Sequence, residues 1–441
     1  MSWTLAPSRR WLLRDGQPTF LLADTVWAAF GGASPDEWLD HLERRRRQGF
    51  NALLFSILPI EHDRSTGTRS PYAIRDGRID FAAGDPAYWD DAERVLTAAR
   101  AHGFTPMLVL LWNNFVPGTW GAGLTPDHVM DAEQTSSYVA EAVARFARFD
   151  PIWIVSGDDD LNDDTALARY SAVAAQVREL APEQLVTWHD TPTARMPAAI
   201  ADGDLIDFHG LQSGHNEAWD TLPAELTRYY RAMDVDRPII NLEPCYEGLG
   251  RFAGRERHSA ADVRRASWTG VVAGAAAGLG YGAHGVWSWH RRGEDFAAGD
   301  VHGHPFPFSV AAAFPGADDV SFLRRVVEDE RLWGLDGDAD LLRAEPSGAI
   351  AGRTPEGVVA VYAPSAFALT LRGRATPDLD VRVYDLAARR PDAARWTSTA
   401  DGVRLEQPEF PGDALYVVRG LAPDADSPRA DSPDAGSPDA G

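Results

Sequence analysis

The chain has 441 residues, 44% of them hydrophobic and 24% charged, a composition that excludes wholesale disorder, a collagen-like repeat and a disulfide-dense scaffold. Asp and Glu number 65 against 42 basic residues, every one an arginine, for a net charge of −23. Such a surface repels phosphate backbones and anionic lipid, so neither nucleic acid nor a membrane is an expected partner.

Short apolar or β-branched runs alternate with longer amphipathic stretches from the N-terminus onward. Strand candidates fall at 19–23, 51–57, 105–111, 151–155, 184–188, 205–211, 238–242 and 284–289, with helical patterns between them at 35–48, 90–102, 132–149, 166–180, 224–233 and 261–277. This order predicts an α/β fold, a (β/α)8 TIM barrel, over residues 1–335. Ser34-Pro35-Asp36-Glu37 joins an N-cap, a first-turn proline and acidic residues at one helix start, and Ser259 with Asp262 forms a capping-box variant at another. Asp159 and Asp160 are expected to cap the helix after the fourth strand. Gly278-Leu279-Gly280-Tyr281-Gly282 looks superficially like a phosphate loop, but it follows a helix and precedes the eighth strand candidate. That order is wrong for such a site, and close backbone packing is expected instead.

Beyond residue 335, alternating runs at 358–362, 368–371, 381–384 and 414–418 predict a small C-terminal β-sandwich domain over 336–420. Trp396 is its only tryptophan, so covering apolar surface is preferred to binding glycan as its role. In 421–441 the repeats Asp426-Ser427-Pro428, Asp431-Ser432-Pro433 and Gly436-Ser437-Pro438 predict a disordered tail. The N-terminal stretch carries no apolar signal core, no apolar run approaches the roughly 20 residues that cross a bilayer, and Cys245 is the single cysteine. A cytoplasmic protein without an intrachain disulfide is expected.

Catalytic groups of a barrel gather at the C-terminal ends of its strands. Those positions hold Asp24 and Trp27 after strand one, Trp112, Asn113 and Asn114 after strand three, and Asp158 after strand four. His189 and Asp190 follow strand five, Gln212 and His215 strand six, Glu243, Tyr246 and Glu247 strand seven, and Trp287, Trp289 and His290 belong to the eighth. Carboxylates, amides, imidazoles and indoles are the groups that grip sugar hydroxyls and stack on the apolar face of a sugar ring. Asp158 and Glu243 end strands four and seven, across the barrel mouth from one another. They are the candidate catalytic pair for glycoside hydrolysis, one as proton donor and the other as nucleophile or base. The remaining candidates would shape a sugar subsite, with Tyr246 or a barrel asparagine holding Glu243 ionised.

Rival readings attach to the same residues. Asp158, Asp160 and Asn162 imitate the start of a calcium loop, but no glycine follows Asn162 and the twelfth position is Arg169. His189, His209 and His215 could serve a metal-dependent hydrolase, although no HExxH is present. Cys245 has no partner placed to activate it and reads as a packing residue. A catalytically silent sugar-binding protein is the third possibility. No cofactor or metal is expected, and the oligomeric state is open.

Taken as a set, Leu22-Ala23-Asp24-Thr25-Val26-Trp27, Gly157-Asp158, Gln212-Ser213-Gly214-His215, the run from Asn241 to Gly248, Asp262-Val263-Arg264-Arg265-Ala266 and the run from Tyr281 to Trp289 resemble the apiosidase-like family of TIM-barrel glycoside hydrolases. The resemblance covers 11–296 and implies a retaining mechanism with Asp158 as general acid/base and Glu243 as nucleophile. Ser156 stands where the family usually shows the first glycine of Gly-Gly-Asp. The expected activity is exo-acting, on a small glycoside or oligosaccharide bearing a terminal apiose-like or other furanoside.

Overall fold

The computed structural model describes residues 2–76, 78–251, 256–343 and 348–423. Eight parallel strands form the centre: β1 (Leu21–Thr25), β2 (Ala52–Ser56), β3 (Thr105–Trp112), β4 (Ile152–Gly157), β5 (Val186–Thr187), β6 (His209–Gln212), β7 (Ile239–Glu243) and β8 (Gly278–Tyr281). They pair in the order β5-β4-β3-β2-β1-β8-β7-β6, which bends the sheet into a nearly closed barrel. Their residues are buried on both faces, which explains near-continuous apolar runs in place of alternation. The seam between β5 and β6 is stitched without a ladder. The Asp207 N–H reaches the Val186 carbonyl at 2.8 Å, the Asp207 carboxylate accepts the Val186 N–H at 2.7 Å, and the Thr187 hydroxyl donates to the Phe208 carbonyl at 2.7 Å.

Outside the barrel lie α1 (Pro35–Arg47), α2 (Pro86–Ala101), α3 (Ala132–Phe146), α4 (Asp164–Leu180), α5 (Leu222–Arg231), α6 (Ala260–Ala273) and α7 (Gly316–Asp329). The β5 to β6 connection has only a single turn, Ala198–Ala201. Capping boxes at Ser34 with Glu37 and at Ser259 with Asp262 start α1 and α6, satisfying the orphan N–H groups of a helix start. Asp163, not Asp159 or Asp160, caps α4. Asp159 instead accepts the Leu161 N–H at 3.0 Å, and Asp160 accepts the Thr191 hydroxyl at 2.8 Å, so both tie loops together. Residues Trp3–Leu5, Leu12–Arg14 and Gln17–Pro18 form a small antiparallel sheet. It covers the barrel floor, where the Trp3 indole donates to Thr105 at 2.8 Å.

The eighth strand corrects the sequence reading. It is the glycine run Gly278–Tyr281, and residues 284–289 form the loop beyond it. Close packing is the reason. A Cβ on Gly278 would lie 2.6 Å from the Leu21 carbonyl oxygen, and one on Gly280 would lie 1.9 Å from that of Leu242. The strand therefore has no β-branched signature to read, while Val286, Trp287 and Trp289 owe their apolar character to burial in the mouth loop.

The C-terminal region folds as two antiparallel sheets. The larger is ordered Asp336–Gly337, Ile350–Arg353, Val359–Ala363, Ala414–Ala422, Arg374–Asp385 and Arg390–Asp392, and the smaller Leu369–Leu371, Gly402–Leu405 and Trp396–Thr399. Side chains alternate along the central strands: Val359, Val361, Tyr416 and Val418 fill the space between the sheets, whereas Ala360, Tyr362, Leu415 and Val417 join the barrel core. One sheet thus buries both faces, and its outer face seals the barrel helices. Arg264 of α6 grips Asp413 through two 2.9 Å contacts and Asp319 of α7 through a third of 2.9 Å. Glu330 is paired with Arg382 at 3.0 Å and Arg419 at 2.7 Å. Among the described residues no helix is long and apolar enough to cross a membrane. The repeats of 424–441 lie outside the described residues.

Gly280→Ala is expected to destabilise the barrel by about 1–3 kcal/mol, read as a lowered midpoint in urea. Gly293→Ala, where nothing lies within 4 Å but φ is positive, should cost less.

Candidate active site

Glu243 is the last residue of β7 and Gln212 the last of β6. A shift in register after Leu211 sets the two side by side, the kind of irregularity that re-aims a side chain at a strand end. Both line a cavity of about 420 Å³ at the barrel mouth, together with Asp158, Trp27, Trp112, His215, Tyr246 and Trp287. Rings crowd its floor. Trp27 meets Trp112 edge-on at 5.3 Å, and Tyr246 lies 4.6 Å from His215.

Two histidines bracket the Glu243 carboxylate. The His215 Nε2 stands 2.9 Å from Oε1, and the His189 Nε2 lies 3.2 Å from Oε2, in poor alignment. Backbone contacts decide the tautomers. The Tyr246 N–H donates to His215 Nδ1 at 3.1 Å, and the Asp158 N–H donates to His189 Nδ1 at 3.3 Å. With Nδ1 accepting, the ring proton of each sits on Nε2 and faces Glu243. Burial alone would raise the Glu243 pKa, but the two imidazoles outweigh it and hold the carboxyl well below its usual range. The two histidines are therefore the main groups that keep Glu243 charged, ahead of Tyr246. Burial raises the Tyr246 phenol pKa, and the charge of Glu243 adds to it.

Asp158 behaves in the opposite way. Burial and then the charge of Glu243 push it up to about 7. Its backbone is left-handed, with φ 55°, a conformation costing about 1–3 kcal/mol for most residues but tolerated by Asp. Three groups hold that conformation: the Asn113 amide donates to the Asp158 carbonyl at 2.6 Å, the Trp120 indole donates to it at 2.9 Å, and His189 takes the N–H. Gly157 precedes it because a Cβ there would lie 2.2 Å from the Trp112 ring.

The mouth also holds residues that position after a strand did not single out. Asp63, His62 and His302 line the same cavity from the loops after β2 and β8. Burial, reinforced by the charges of Asp158 and Glu243, lifts Asp63 well above the usual carboxylate range, and its Oδ1 is buried without a partner. The His302 Nε2 lies 3.9 Å from Asp63 Oδ2. Both loops are remote from any strand-end motif, which is why spacing along the chain could not find them.

Several expected site residues are engaged elsewhere. Asp24 is fully buried below the cavity, where its Oδ2 holds His41 at 2.7 Å and the Arg45 Nε at 2.8 Å. Glu247 accepts the Tyr281 hydroxyl at 2.7 Å and the Gly316 N–H at 2.9 Å, so it fastens the start of α7. Asn114 pairs with His62 Nδ1 at 2.8 Å, and Asn113 serves through the Asp158 backbone. His189 supports Glu243 without lining the cavity. Trp289 stacks on Phe308 at 4.1 Å, His290 Nδ1 meets the Ser65 hydroxyl at 2.8 Å, and Asp190 accepts the Tyr230 hydroxyl. None of these three faces the cavity: Trp289 and His290 lie where the loop after β8 turns outward beyond Trp287, and Asp190, just after β5, is turned toward Tyr230. His209 begins β6, stacked on Tyr230 at 4.8 Å, so the three histidines of a metal reading do not converge. Among the described residues no group of three or more His, Cys, Asp or Glu is arranged for a metal ion. Cys245 is buried.

A model of the apiosidase-like catalytic domain matches residues 6–334. The chain belongs to this family. It is thus an apiosidase-like glycosidase, and the match spans every barrel strand, including the Asp158 and Glu243 positions. Its fold is similar to a solved glycoside hydrolase at TM-score 0.76 and 19% identity, covering 96% of this chain and 97% of the other. A glycoside hydrolase family 5 structure from Bacteroides vulgatus is similar at TM-score 0.77 and 18% identity, covering 96% and 94%. No match was found among curated protein sequences. In this apiosidase-like chain the C-terminal sheets share the likeness, since both alignments run well past the barrel.

In the free enzyme the Asp158 carboxyl is expected to titrate near 7 when followed by 13C NMR. Glu243→Gln should bring it down toward the ordinary carboxylate range. A midpoint unmoved by that substitution would mean that the two carboxyls do not share a field.

Proposed function

We propose that the protein is an exo-acting, retaining glycosidase that removes a terminal furanoside, apiose-like or related, with Asp158 as general acid/base and Glu243 as nucleophile. The observation that carries this reading is the opposite protonation of two carboxyls facing one cavity: Asp158 is pushed up to about 7 and Glu243 held well below its usual range. A neutral acid can protonate the leaving oxygen while an ionised partner attacks the anomeric carbon. After the glycosyl-enzyme ester forms, Asp158, now ionised, takes a proton from water, and the ester is hydrolysed.

The exo mode is supported by the size of the cavity, about 420 Å³ and so toward the small end for ligand sites, and by the loops carrying Asp63 and His302 that wall it. Trp27, Trp112 and Trp287 supply faces for a sugar ring. Gln212 and Asp63 supply amide and carboxyl partners for its hydroxyls, and both have an unsatisfied buried oxygen. A metal-dependent hydrolysis fits less well, since the Nδ1 lone pairs of His189 and His215 are taken by backbone N–H groups and the Nε2 protons face Glu243. A cytoplasmic location belongs to the same reading, because a chain whose one cysteine is buried needs no oxidising compartment.

A screen of aryl furanosides and pyranosides identifies the sugar. On the responsive glycoside Glu243→Gln is expected to lower kcat/KM by at least about 10⁴-fold. Asp158→Asn should spare the first step for activated aryl leaving groups while losing unactivated substrates. Full activity of Glu243→Gln would overturn the assignment. Because Asp158 must be protonated in the first step, kcat/KM should fall as pH rises through about 7. It should show no acid limb until well below the usual carboxylate range, since Glu243 stays ionised there. NMR of the first-formed product anomer tests retention.

A further inference from the structure

We infer that the leaving-group side of this cavity is an apolar subsite, built for a glycoside whose aglycone is an alkyl or aromatic group in place of a second sugar. The inference rests on the assignment of Asp158 as the proton donor, since the group that donor protonates must lie beside it. Trp120 marks that side: its indole is anchored on the Asp158 carbonyl at 2.9 Å, and its ring meets His62 edge-on at 4.7 Å. The next turn of the same loop presents Leu124, and Val301 lies on the loop after β8; both line the cavity with Trp120.

These three side chains are wet. Leu124 is 62% exposed, Val301 57% and Trp120 37%. Among the described residues eight large apolar side chains are exposed, and three of them share this one rim on a chain of net charge −23. Scattered exposed hydrophobics need no explanation, but a cluster at the mouth of a pocket marks a binding surface. Leu249, Ile60 and Ala298 continue the lining inward. A second sugar would bring several hydroxyls against aliphatic groups that cannot hydrogen-bond, and those hydroxyls would be desolvated without return. Of the polar lining groups, Gln212, Asp63 and Glu243 sit where the glycone is expected, while His62 and His302 border the apolar rim.

Alkyl glycosides separate this contact from leaving-group chemistry, because methyl and butyl alcohols are nearly equal as leaving groups. Each methylene that becomes fully buried is worth about fourfold in affinity. With the glycone found by the screen, kcat/KM for the butyl glycoside should exceed that for the methyl glycoside by at least about tenfold. In Leu124→Ser/Val301→Ser that ratio should fall below about threefold. The ratio is the readout, so a general loss of folded enzyme cancels. A wild-type ratio near one, or a ratio the double variant leaves unaltered, overturns the inference. Binding of 2-naphthol, followed by its own fluorescence, needs no turnover and should weaken at least about tenfold in the double variant; unaltered binding overturns the subsite. Absence of turnover by the wild type on any glycoside, or activity kept by Glu243→Gln, sinks the glycosidase mechanism instead, and the 2-naphthol titration then judges the subsite on its own.

Discussion

Two carboxyl groups that face one small cavity repel each other when both are charged, and the rest of the site is arranged around which of them gives way. Glu243 keeps its charge because two imidazole Nε2 groups face it, each ring turned by a backbone N–H on its far side. At Asp158 burial and the charge of Glu243 outweigh His189 and the Gln212 amide, and it yields. The same His189 that supports Glu243 also takes the Asp158 N–H, so one ring ties Glu243 to the strained backbone of Asp158.

That arrangement demands a rigid floor. Below the cavity Asp24 is clamped by Arg45 and His41 in a fully buried cluster, and the Arg45 guanidinium lies over the Phe50 and Tyr281 rings at 5.1 and 5.4 Å. The Tyr281 hydroxyl in turn reaches Glu247, which fastens α7. Burial would raise the Asp24 pKa, but the Arg45 charge overcomes it and keeps the carboxylate ionised. Charges buried in this way are costly unless paired. Here the pairing joins β1, α1, β8 and α7 into one block beneath Asp158 and Glu243. The C-terminal sheets extend the block outward through Arg264 and Glu330.

Much of the fold was readable in the chain because its cues are local. Seven strands and the principal helices followed from apolar runs, helped by the first-turn Pro35 and the serine caps at Ser34 and Ser259, each a matter of a few adjacent residues. The eighth strand was not readable, since its glycines are demanded by the Leu21 and Leu242 backbones, neighbours far away in sequence. Asp159 and Asp160 look like helix caps for the same kind of reason: a carboxylate near a helix start is ambiguous until its N–H partner is seen, and here Asp163 holds that place.

The candidate site divides along the same line. Sequence alone determined that Asp158 and Glu243 end opposite strands of a barrel, and that indoles and amides accompany them, because strand order sets which residues reach the mouth. Tertiary structure decided which neighbours work there. Asp24, Glu247, Trp289 and His290 turned out to be framework, while Asp63, His62, His302 and Trp120 entered from loops. Loop paths and ring tautomers depend on packing and hydrogen bonds between distant segments, and no local pattern in the chain encodes them.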